Sequence, residues 1–426
     1  MTVDPNLREK IRATVQADYG EHTMLPGNKM PRPRRLPTGS LALDYVSGGG
    51  YAFAHMSRFW GAYSSGKTLA LFKAFISAQH FGELRYAQLM GLAAMSELAG
   101  ELKMVKIFKD QAKREREYGS LACLFVNAEN SLDVAHMARL GVDLSKLDIV
   151  TQSQIEGIGE IVYESLPAYH VIGVDSTTST MSIDEVVKVV KSKDPDKATE
   201  AQKKTIYDDN PTTGMTRAKK WGINMDWWRS RLTPENIILL TSHATQKMGA
   251  KSMHGSTPEH PPGGTKLFHE PGLILHFMKS TQLKRKSNGG LEEAGDDARG
   301  SASASAFSKF QAAGGALVVK CDKNKVGVQG RTALLHHDKR TGNFDSLWEY
   351  EKFASYFRVL EKSGSWWVLP NGQKTQQVRT TLEEDADLRA RIEAVVLRCA
   401  EDAEFEANLL AGRTGTLAAV PSAESV

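Results

Sequence analysis

The chain has 426 residues, of which 41% are hydrophobic and 24% are charged, and this composition excludes a fully disordered chain, a collagen-like chain and a disulfide scaffold. Residues 380–426 hold ten acidic side chains against four arginines, a net −6, so the whole-chain charge of +4 leaves +10 on the preceding residues. The sequence therefore predicts a basic body followed by an acidic tail. Three widely spaced cysteines, with no apolar run long enough for a membrane helix or a signal peptide, lead us to expect a soluble, cytoplasmic protein.

The predicted elements begin with a short amphipathic helix at residues 5–18 and a basic, proline-rich linker. A helix of this size cannot bury its apolar stripe alone, so it should pack on the body or on a neighbouring subunit, and we expect residues 1–35 to serve protomer docking. The body, residues 36–350, alternates short apolar runs with helical segments, which predicts an α/β domain with a doubly wound, mostly parallel central sheet. Its candidate strands are residues 58–60, 122–127, 170–175, 236–242, 273–278, 316–320 and 332–336.

Three stretches of the body interrupt this pattern. Residues 81–118 predict a long helical insertion, residues 184–214 are polar, and residues 285–309 are poor in apolar side chains. After the body, residues 351–400 predict a small C-terminal α+β module in which two helices flank an aromatic segment. Residues 401–426 predict a flexible acidic tail.

Residues 61–68 read GAYSSGKT, a complete match to the phosphate-binding loop pattern G-x-x-x-x-G-K-[ST] between a predicted strand and a predicted helix. Glycines there let backbone N–H groups turn inward as an anion nest, and the helix adds its positive N-terminal end. In such a loop the lysine supplies charge to the β- and γ-phosphates and the threonine hydroxyl binds Mg²⁺. A chance glycine-rich turn is the alternative. The motif predicts an ATP site at Gly61, Ser64, Ser65, Gly66, Lys67 and Thr68.

Two of the predicted strands end in acidic residues. VIGVD ends at Asp175, the usual form of the second metal-side carboxylate in a P-loop enzyme, where it would reach Mg²⁺ through the ion's water shell. LFVNAE ends at Glu129, whose carboxylate could polarise the water that attacks the γ-phosphate. An N-cap acid that opens the next helix is an equally good interpretation of Glu129.

These motifs stand in an order that resembles the RecA-type recombinases over nearly the whole chain. The resemblance implies a P-loop RecA-type fold, ATP and Mg²⁺ as ligands, and single- and double-stranded DNA as partners of a homo-oligomeric helical filament. A single-strand-binding protein is a further candidate partner. The matching segments are LPTGSLALDYVSGGG (36–50), GAYSSGKT (61–68), FVNAENSLDVAHMARLGVD (125–143), VIGVDS (171–176), LLTSHATQKMG (239–249), PGGTK (262–266), DKNKVG (322–327) and GSWWVLPNGQKTQQ (364–377).

By this resemblance Glu129 is the general base for water, and Asp133 and His136 border the adenine. The family usually has tyrosine where His136 stands, and a histidine ring can still stack on the base. His243 takes the position of the γ-phosphate sensor, where bacterial members carry glutamine and a phage branch carries histidine. A satisfied core histidine is the alternative for His243.

Lys323 and Lys325 match paired lysines that, in the family, cross the subunit interface to a neighbour's ATP; surface lysines on a strand are the alternative. Two segments are expected to contact DNA as loops, at about 179–221 and 244–268. Cations there neutralise phosphates, and glycine N–H groups donate to them without base specificity. Solvated surface charge is the alternative. The candidate contacts are Arg217, Lys219, Lys220 and Trp221 in the first loop, and Lys247, Lys251, Gly263, Gly264 and Lys266 in the second.

The sequence thus predicts a DNA-dependent ATPase that forms helical filaments on single-stranded DNA and promotes homologous pairing and strand exchange in recombination and repair. The acidic tail would then compete with DNA for the basic body. A DNA motor or helicase on the same core, without strand exchange, is the alternative. A non-enzymatic DNA-binding scaffold that holds ATP without turnover is a third hypothesis.

Overall fold

The computed structural model describes residues 5–19, 24–25, 33–184, 211–246, 259–285, 291–293, 312–338 and 340–412. The chain divides into two units, Met1–Arg34 and Arg35–Val426. Helix α1 (Pro5–Tyr19) lies in the first unit and confirms the predicted N-terminal helix. Among the described helices, none combines the length and the apolar character that crossing a membrane requires.

The second unit contains the remaining helices and all the strands that the structure describes. Its helices are α2 (Leu41–Ser47), α3 (Lys67–Gln79), α4 (Phe81–Leu98), α5 (Leu102–Arg116), α6 (Val134–Arg139), α7 (Ile155–Ser165), α8 (Pro211–Arg231), α9 (Gly264–His269), α10 (Ser346–Tyr356), α11 (Val378–Glu384), α12 (Ala386–Glu401) and α13 (Ala403–Leu410). Its strands are β1 (Arg35–Leu36), β2 (Tyr51–Ala52), β3 (His55–Gly61), β4 (Cys123–Asn127), β5 (Leu147–Thr151), β6 (Val171–Asp175), β7 (Ile237–His243), β8 (Thr245–Gln246), β9 (Glu259–His260), β10 (Leu273–Arg285), β11 (Leu291–Glu293), β12 (Ala312–Asn324), β13 (Thr332–Asp338), β14 (Asn343–Phe344), β15 (Glu361–Ser363), β16 (Trp366–Val368) and β17 (Lys374–Thr375).

A ten-stranded sheet in the order β14-β13-β12-β10-β3-β7-β6-β4-β5, with β11 beside β10, forms the centre of this unit. Neighbours from β10 to β5 are parallel, whereas β11 to β14 pair antiparallel. The prediction of a doubly wound, mostly parallel sheet is confirmed, and each of the seven candidate strands lies in it. Strand β5 was not predicted, because it is an edge strand whose residues are mostly exposed and carry no continuous apolar run.

Helices cover both faces of the sheet, as the apolar strands predicted. On one face Phe125 of β4 packs edge-to-face against Phe72 and Phe75 of α3. On the other face its strand neighbour Val126 shares a buried cluster with Trp228 of α8. Successive side chains of a strand point to opposite faces, so β4 has an unbroken apolar run from Cys123 to Val126.

The insertion at residues 81–118 is helical, as predicted, but it forms two helices rather than one. Helices α4 and α5 are separated at Gly100, which has a φ of 72°. A buried ion pair of 2.9 Å between Arg85 and Glu115 joins them. Leu89 of α4 and Leu397 of α12 belong to the same buried cluster, so the insertion packs on the C-terminal helices.

Two other interruptions fall mostly outside the described residues, which exclude 185–210 and 294–311. The C-terminal part contains the expected helices and, at its aromatic segment, the small sheet β15-β16-β17. The predicted boundary at residue 350 lies inside α10. Ile392 of α12 and Leu43 of α2 share one buried cluster, so the C-terminal helices pack on the body.

The acidic tail begins later than predicted, because α13 occupies its first part. Asp402 caps this helix by accepting the N–H groups of Glu404 and Phe405 at 3.1 and 3.0 Å. Glu406 accepts a 2.9 Å ion-paired hydrogen bond from Arg331 and a hydrogen bond from the Tyr45 hydroxyl. Several of the acids counted as tail charge are therefore caps and partners within the fold, and residues 413–426 lie outside the described chain.

Candidate functional site

The phosphate-binding loop connects β3 to α3 and depends on two glycines. Gly61 has a φ of 150°, and a Cβ there would lie 2.0 Å from the carbonyl oxygen of Phe277. Gly66 has a φ of 85°, and its Cβ would lie 3.0 Å from Leu317. Ser64 also adopts the left-handed region, at a φ of 56°. The loop is therefore a tight backbone cradle that ends at the N-terminus of a 13-residue helix, where anions bind.

Lys67 is the first residue of α3 and is only 4% exposed. Its Nζ donates to the carbonyl oxygens of Gly61 and Ala62, at 3.0 and 2.7 Å, and to Ser65 Oγ at 3.4 Å. These acceptors are neutral, and a phosphate oxygen would form a stronger, charge-assisted hydrogen bond with the same ammonium group. The contacts place Lys67 inside the loop that the motif predicted.

Thr68 and Asp175 lie together, although they are 107 positions apart. Thr68 Oγ1 donates to Asp175 Oδ2 at 2.7 Å, and Thr241 donates to the other carboxylate oxygen. Burial raises the pKa of Asp175, while the hydrogen bonds from Thr241 and Thr68 lower it. A hydroxyl and a carboxylate are the hard oxygen donors that Mg²⁺ prefers, so this pair fits the metal that the motif implies.

Glu129 follows β4 and accepts three hydrogen bonds on one oxygen. Oε1 accepts from His243 Nε2 at 2.6 Å, from Ser176 Oγ at 2.6 Å and from Ser179 Oγ at 2.9 Å. The hydrogen bond from His243 is the largest cause that lowers the pKa of Glu129 to about 2. The N-cap interpretation is wrong for helix α6, because Asp133 caps that helix.

His243 ends β7 at the same edge of the sheet as Glu129. Besides the bond to Glu129, its backbone N–H donates to Thr178 Oγ1 at 3.1 Å. Its ring stacks on Tyr63 of the phosphate-binding loop, with centroids 3.9 Å apart and planes 16° apart. Its Nδ1 has no hydrogen-bond partner among the residues that the structure describes. His243 is therefore a residue of the loop site and not a satisfied core histidine.

Asp133 and His136 lie on α6. Asp133 Oδ1 accepts the His136 N–H at 2.9 Å, which fixes the start of the helix. The His136 ring lies against the turn between β13 and β14, since a Cβ on Gly342 would approach His136 Cε1 to 2.8 Å. Phe344 of the same turn region borders Gly66. The two residues that the resemblance assigns to adenine thus flank a turn that reaches the phosphate-binding loop.

The cations expected in the first DNA loop lie on helix α8 instead. Arg217, Lys219, Lys220 and Trp221 all fall within Pro211–Arg231. Trp221 is buried against Trp228, so its aromatic face is not available to a base. Lys220 pairs with Glu156 and Asp184 at 3.0 and 3.2 Å. The loop prediction was wrong here because buried Trp221, Met225 and Trp228 recur at helical spacing.

The end of the second predicted loop is also helical. Gly263 and Gly264, both with left-handed φ angles, begin α9, and Lys266 lies on that helix. Lys266 pairs with Asp226 of α8 at 2.8 Å. A Cβ on Gly264 would lie 2.7 Å from that of Ala218. The ends of the two expected DNA segments are therefore in contact, while Lys247 and Lys251 lie outside the described residues.

Arg58 connects the end of β7 to the end of the second expected DNA segment. From the sequence it was identified only as a residue of a candidate strand. It is fully buried on β3, and its Nε donates to Ser242 Oγ at 2.9 Å. Its two terminal nitrogens donate to the carbonyl oxygens of Leu267 and Pro262. Burial lowers the pKa of Arg58 to about 9. A pattern of local residues could not reveal these contacts, because they span 184 to 209 positions.

Lys323 and Lys325 lie away from the phosphate-binding loop of their own chain. Lys323 Nζ donates to the carbonyl oxygens of Phe268 and His269 at 2.9 and 2.6 Å. Lys325 Nζ donates to the carbonyl oxygen of Glu270 at 3.3 Å. Lys323, at the end of β12, pairs with the start of β10, and Lys325 follows directly after β12. The start of β10 lies beside the start of β3, whereas the phosphate-binding loop leaves the other end of β3. The structure does not bring them into this site.

No family model matches the chain. Protein RecA of Nitratidesulfovibrio vulgaris (strain DP4) is 24% identical over 371 residues, covering 85% of this chain and 80% of that protein. Protein RecA of Aquifex aeolicus is 23% identical over 410 residues, covering 93% and 94%. Protein RecA of Thermus aquaticus is 24% identical over 399 residues, covering 92% and 94%. With its phosphate-binding loop at the carboxyl end of a central strand in a mostly parallel sheet, this chain is similar to proteins named RecA over most of its length.

Proposed function

We propose that this chain is a DNA-dependent ATPase that forms helical filaments on single-stranded DNA and promotes homologous pairing and strand exchange. The observation that carries the proposal is the 2.6 Å contact between Glu129 Oε1 and His243 Nε2 beside the phosphate-binding loop. It joins a candidate general base to a candidate phosphate sensor. Similarity to proteins named RecA supports a role in recombination, and His243 favours the phage branch.

The hydrolysis proposal assigns one task to each residue of the site. The loop N–H groups and Lys67 bind the phosphates of ATP. Thr68 and Asp175 hold Mg²⁺, which supplies charge neutralisation when it is bound. Glu129 orients the attacking water and accepts its proton. His243 donates a hydrogen bond to the terminal phosphate and responds to its presence.

Coupling to DNA follows from where the sensor stands. His243 ends β7 immediately before the segment 244–268, so a change in its contacts would alter how that segment is held. Lysines of α8 and α9 would neutralise DNA phosphates. Lys323 and Lys325 lie away from their own loop, and they would serve a neighbour's nucleotide across a filament interface by exchanging their carbonyl contacts for its phosphates.

The test is ATP hydrolysis by the full chain with and without single-stranded DNA, together with joint-molecule formation between homologous DNAs. We expect hydrolysis to rise with DNA and joint molecules to form. Hydrolysis without joint molecules would contradict strand exchange and support the motor or helicase alternative. Electron micrographs separate these further, because a recombinase gives helical filaments and a ring motor gives closed rings.

A further inference from the structure

Tyr63 is a residue of the phosphate-binding loop to which the motif assigns no task. It occupies a variable position of GAYSSGKT, and it is 68% exposed. One side of its ring nevertheless stacks on His243, with centroids 3.9 Å apart and planes 16° apart. An aromatic side chain of the loop thus lies directly on the candidate sensor.

The His243 ring is held at its edge as well as on its face. Nε2 contacts Glu129 Oε1 at 2.6 Å, while Tyr63 covers the ring. Ser176 and Ser179 donate to the same oxygen of Glu129. With three donors on Oε1, that oxygen has no lone pair left for a water molecule. In this arrangement the sensor nitrogen is held by Oε1 of the base, and a nucleotide must displace that contact to reach it.

We propose that Tyr63 is a positioning residue that, by stacking on His243, keeps the sensor bound to Glu129 until a nucleotide's terminal phosphate competes for it. This inference rests on the proposed function for the roles of Glu129 and His243. It adds that His243 Nε2 is committed to Glu129 Oε1 while the stack is in place. A γ-phosphate that takes His243 therefore recruits the sensor and relieves the crowding on Oε1 in one exchange.

The competition distinguishes ATP from ADP. A carboxylate and a phosphate are both anionic acceptors for the same imidazole nitrogen, so the γ-phosphate of ATP must replace Glu129. ADP has no γ-phosphate and leaves the stack unchanged. Only ATP binding therefore works against the stack, which as an aromatic pair shifts an equilibrium constant by about twofold to tenfold.

The test compares Tyr63→Ala with Tyr63→Phe, which keeps the ring, in the full chain with Mg²⁺. Equilibrium binding is measured for ADP and for a non-hydrolysable ATP analogue. We expect Tyr63→Ala to bind the ATP analogue about twofold to tenfold more tightly than wild type, with ADP affinity unchanged. Tyr63→Phe should match wild type for both ligands. In a His243→Ala background, removing Tyr63 should have no further effect.

Two results would overturn the inference. Equal changes for ADP and the ATP analogue would show that Tyr63 only shapes the loop. An undiminished effect in the His243→Ala background would show that Tyr63 acts through another residue. Tyr63→Leu, which fills space without a ring, repeats the test if the alanine variant unfolds at a lower temperature. Absence of DNA-stimulated hydrolysis in wild type would instead contradict the proposed function. The binding comparison needs neither hydrolysis nor DNA, so the two failures can be told apart.

Discussion

Charged residues lie both at the end of the sheet that carries the phosphate-binding loop (the loop edge) and on the surface of helices α8 and α9 (the α8–α9 surface). The two regions differ in how deeply these residues are buried and in what they contact. At the loop edge Lys67 and Asp175 are almost fully buried, and their contacts connect β3, β6 and β7. On the α8–α9 surface Lys220 and Lys266 are more exposed and form ion pairs with nearby acids. Removing one partner of a buried polar contact costs much free energy, because the other partner stays buried and unsatisfied. An exposed ion pair contributes little free energy to stability. Substitutions should therefore have strong, specific effects at the first region and graded effects at the second.

The largest effect should come from Glu129→Gln, which keeps the shape of the side chain but removes its basicity. We expect ATP hydrolysis to fall by about 100-fold or more, the range of a lost general base. Steady-state phosphate release measures the rate, and ADP binding checks that the site remains intact. Glu156→Gln is the matched control, since Glu156 pairs with half-buried Lys220 and accepts the N–H of Ile183, not a residue of the phosphate-binding loop. A Glu129→Gln variant that hydrolyses ATP normally would support the non-enzymatic scaffold.

A smaller effect should follow from Asp175→Asn. The amide can still accept from Thr68 or Thr241, but it lacks the negative charge that attracts Mg²⁺. We expect the Mg²⁺ concentration for half-maximal hydrolysis to rise by about 10-fold or more. Asp226→Asn, which removes the partner of Lys266, is the control. An unchanged Mg²⁺ requirement in Asp175→Asn would remove this residue from the metal site.

A graded effect is expected for the double variant Lys219→Ala and Lys266→Ala. Each lysine that contacts a phosphate contributes about 0.7 to the slope of log affinity against log salt for single-stranded DNA. Fluorescence anisotropy with a labelled oligonucleotide at several salt concentrations measures that slope. Lys146→Ala, whose lysine pairs with Asp143 at 3.6 Å elsewhere on the chain, is the control. An unaltered slope would show that these cations are solvated surface charge.

The smallest effect on activity should come from Asp44→Asn, which tests stability at a site remote from both regions. Burial raises the pKa of Asp44 from 3.8 to about 7; Glu393 also raises it and Arg85 lowers it. Because the folded-state pKa is the higher one, the stability that Asp44 contributes is present below about pH 4 and is lost as the pH rises to about 7.

In the Asp44→Asn variant the fall in unfolding free energy between pH 5 and pH 8 should shrink by about 2–3 kcal/mol. Chemical denaturation at the two pH values measures it. Glu349, buried beside Asp44 with a pKa raised to about 7, would keep part of the dependence. Identical pH profiles for wild type and variant would mean that Asp44 does not titrate in this range.

The sequence predicted the loop edge well and the α8–α9 surface poorly, for one physical reason. Lys67, Asp175 and His243 follow apolar strands, and parallel strands bring their carboxyl ends to one edge. A short motif after a strand therefore predicts a place in three dimensions. The cations of α8 have no such constraint, and their helical setting follows from Trp221 and Met225, whose burial only the packed fold reveals.

Contacts between distant positions explain what sequence reasoning missed. The stack of Tyr63 on His243 joins two strand ends, and neither residue type is required there by the phosphate-binding motif. Strand β5 was missed because an edge strand with exposed residues resembles a loop. Asp402, which caps α13, and Glu406, which pairs with Arg331, were counted as charges of the tail. Composition alone does not show which acidic residues form hydrogen bonds within the fold.

Arg58 connects the end of strand β7 to Pro262 and Leu267, on either side of the start of α9. Its three acceptors, on Ser242, Pro262 and Leu267, are uncharged, and they attach the residue before His243 to the start of α9. The segment between them is thus anchored at both ends to one rigid guanidinium. A displacement of the end of β7 would therefore be transmitted through Arg58 to Pro262 and Leu267 as well as along the chain. A lysine at position 58 would have no planar fork with which to bridge them, and the two anchors would move independently.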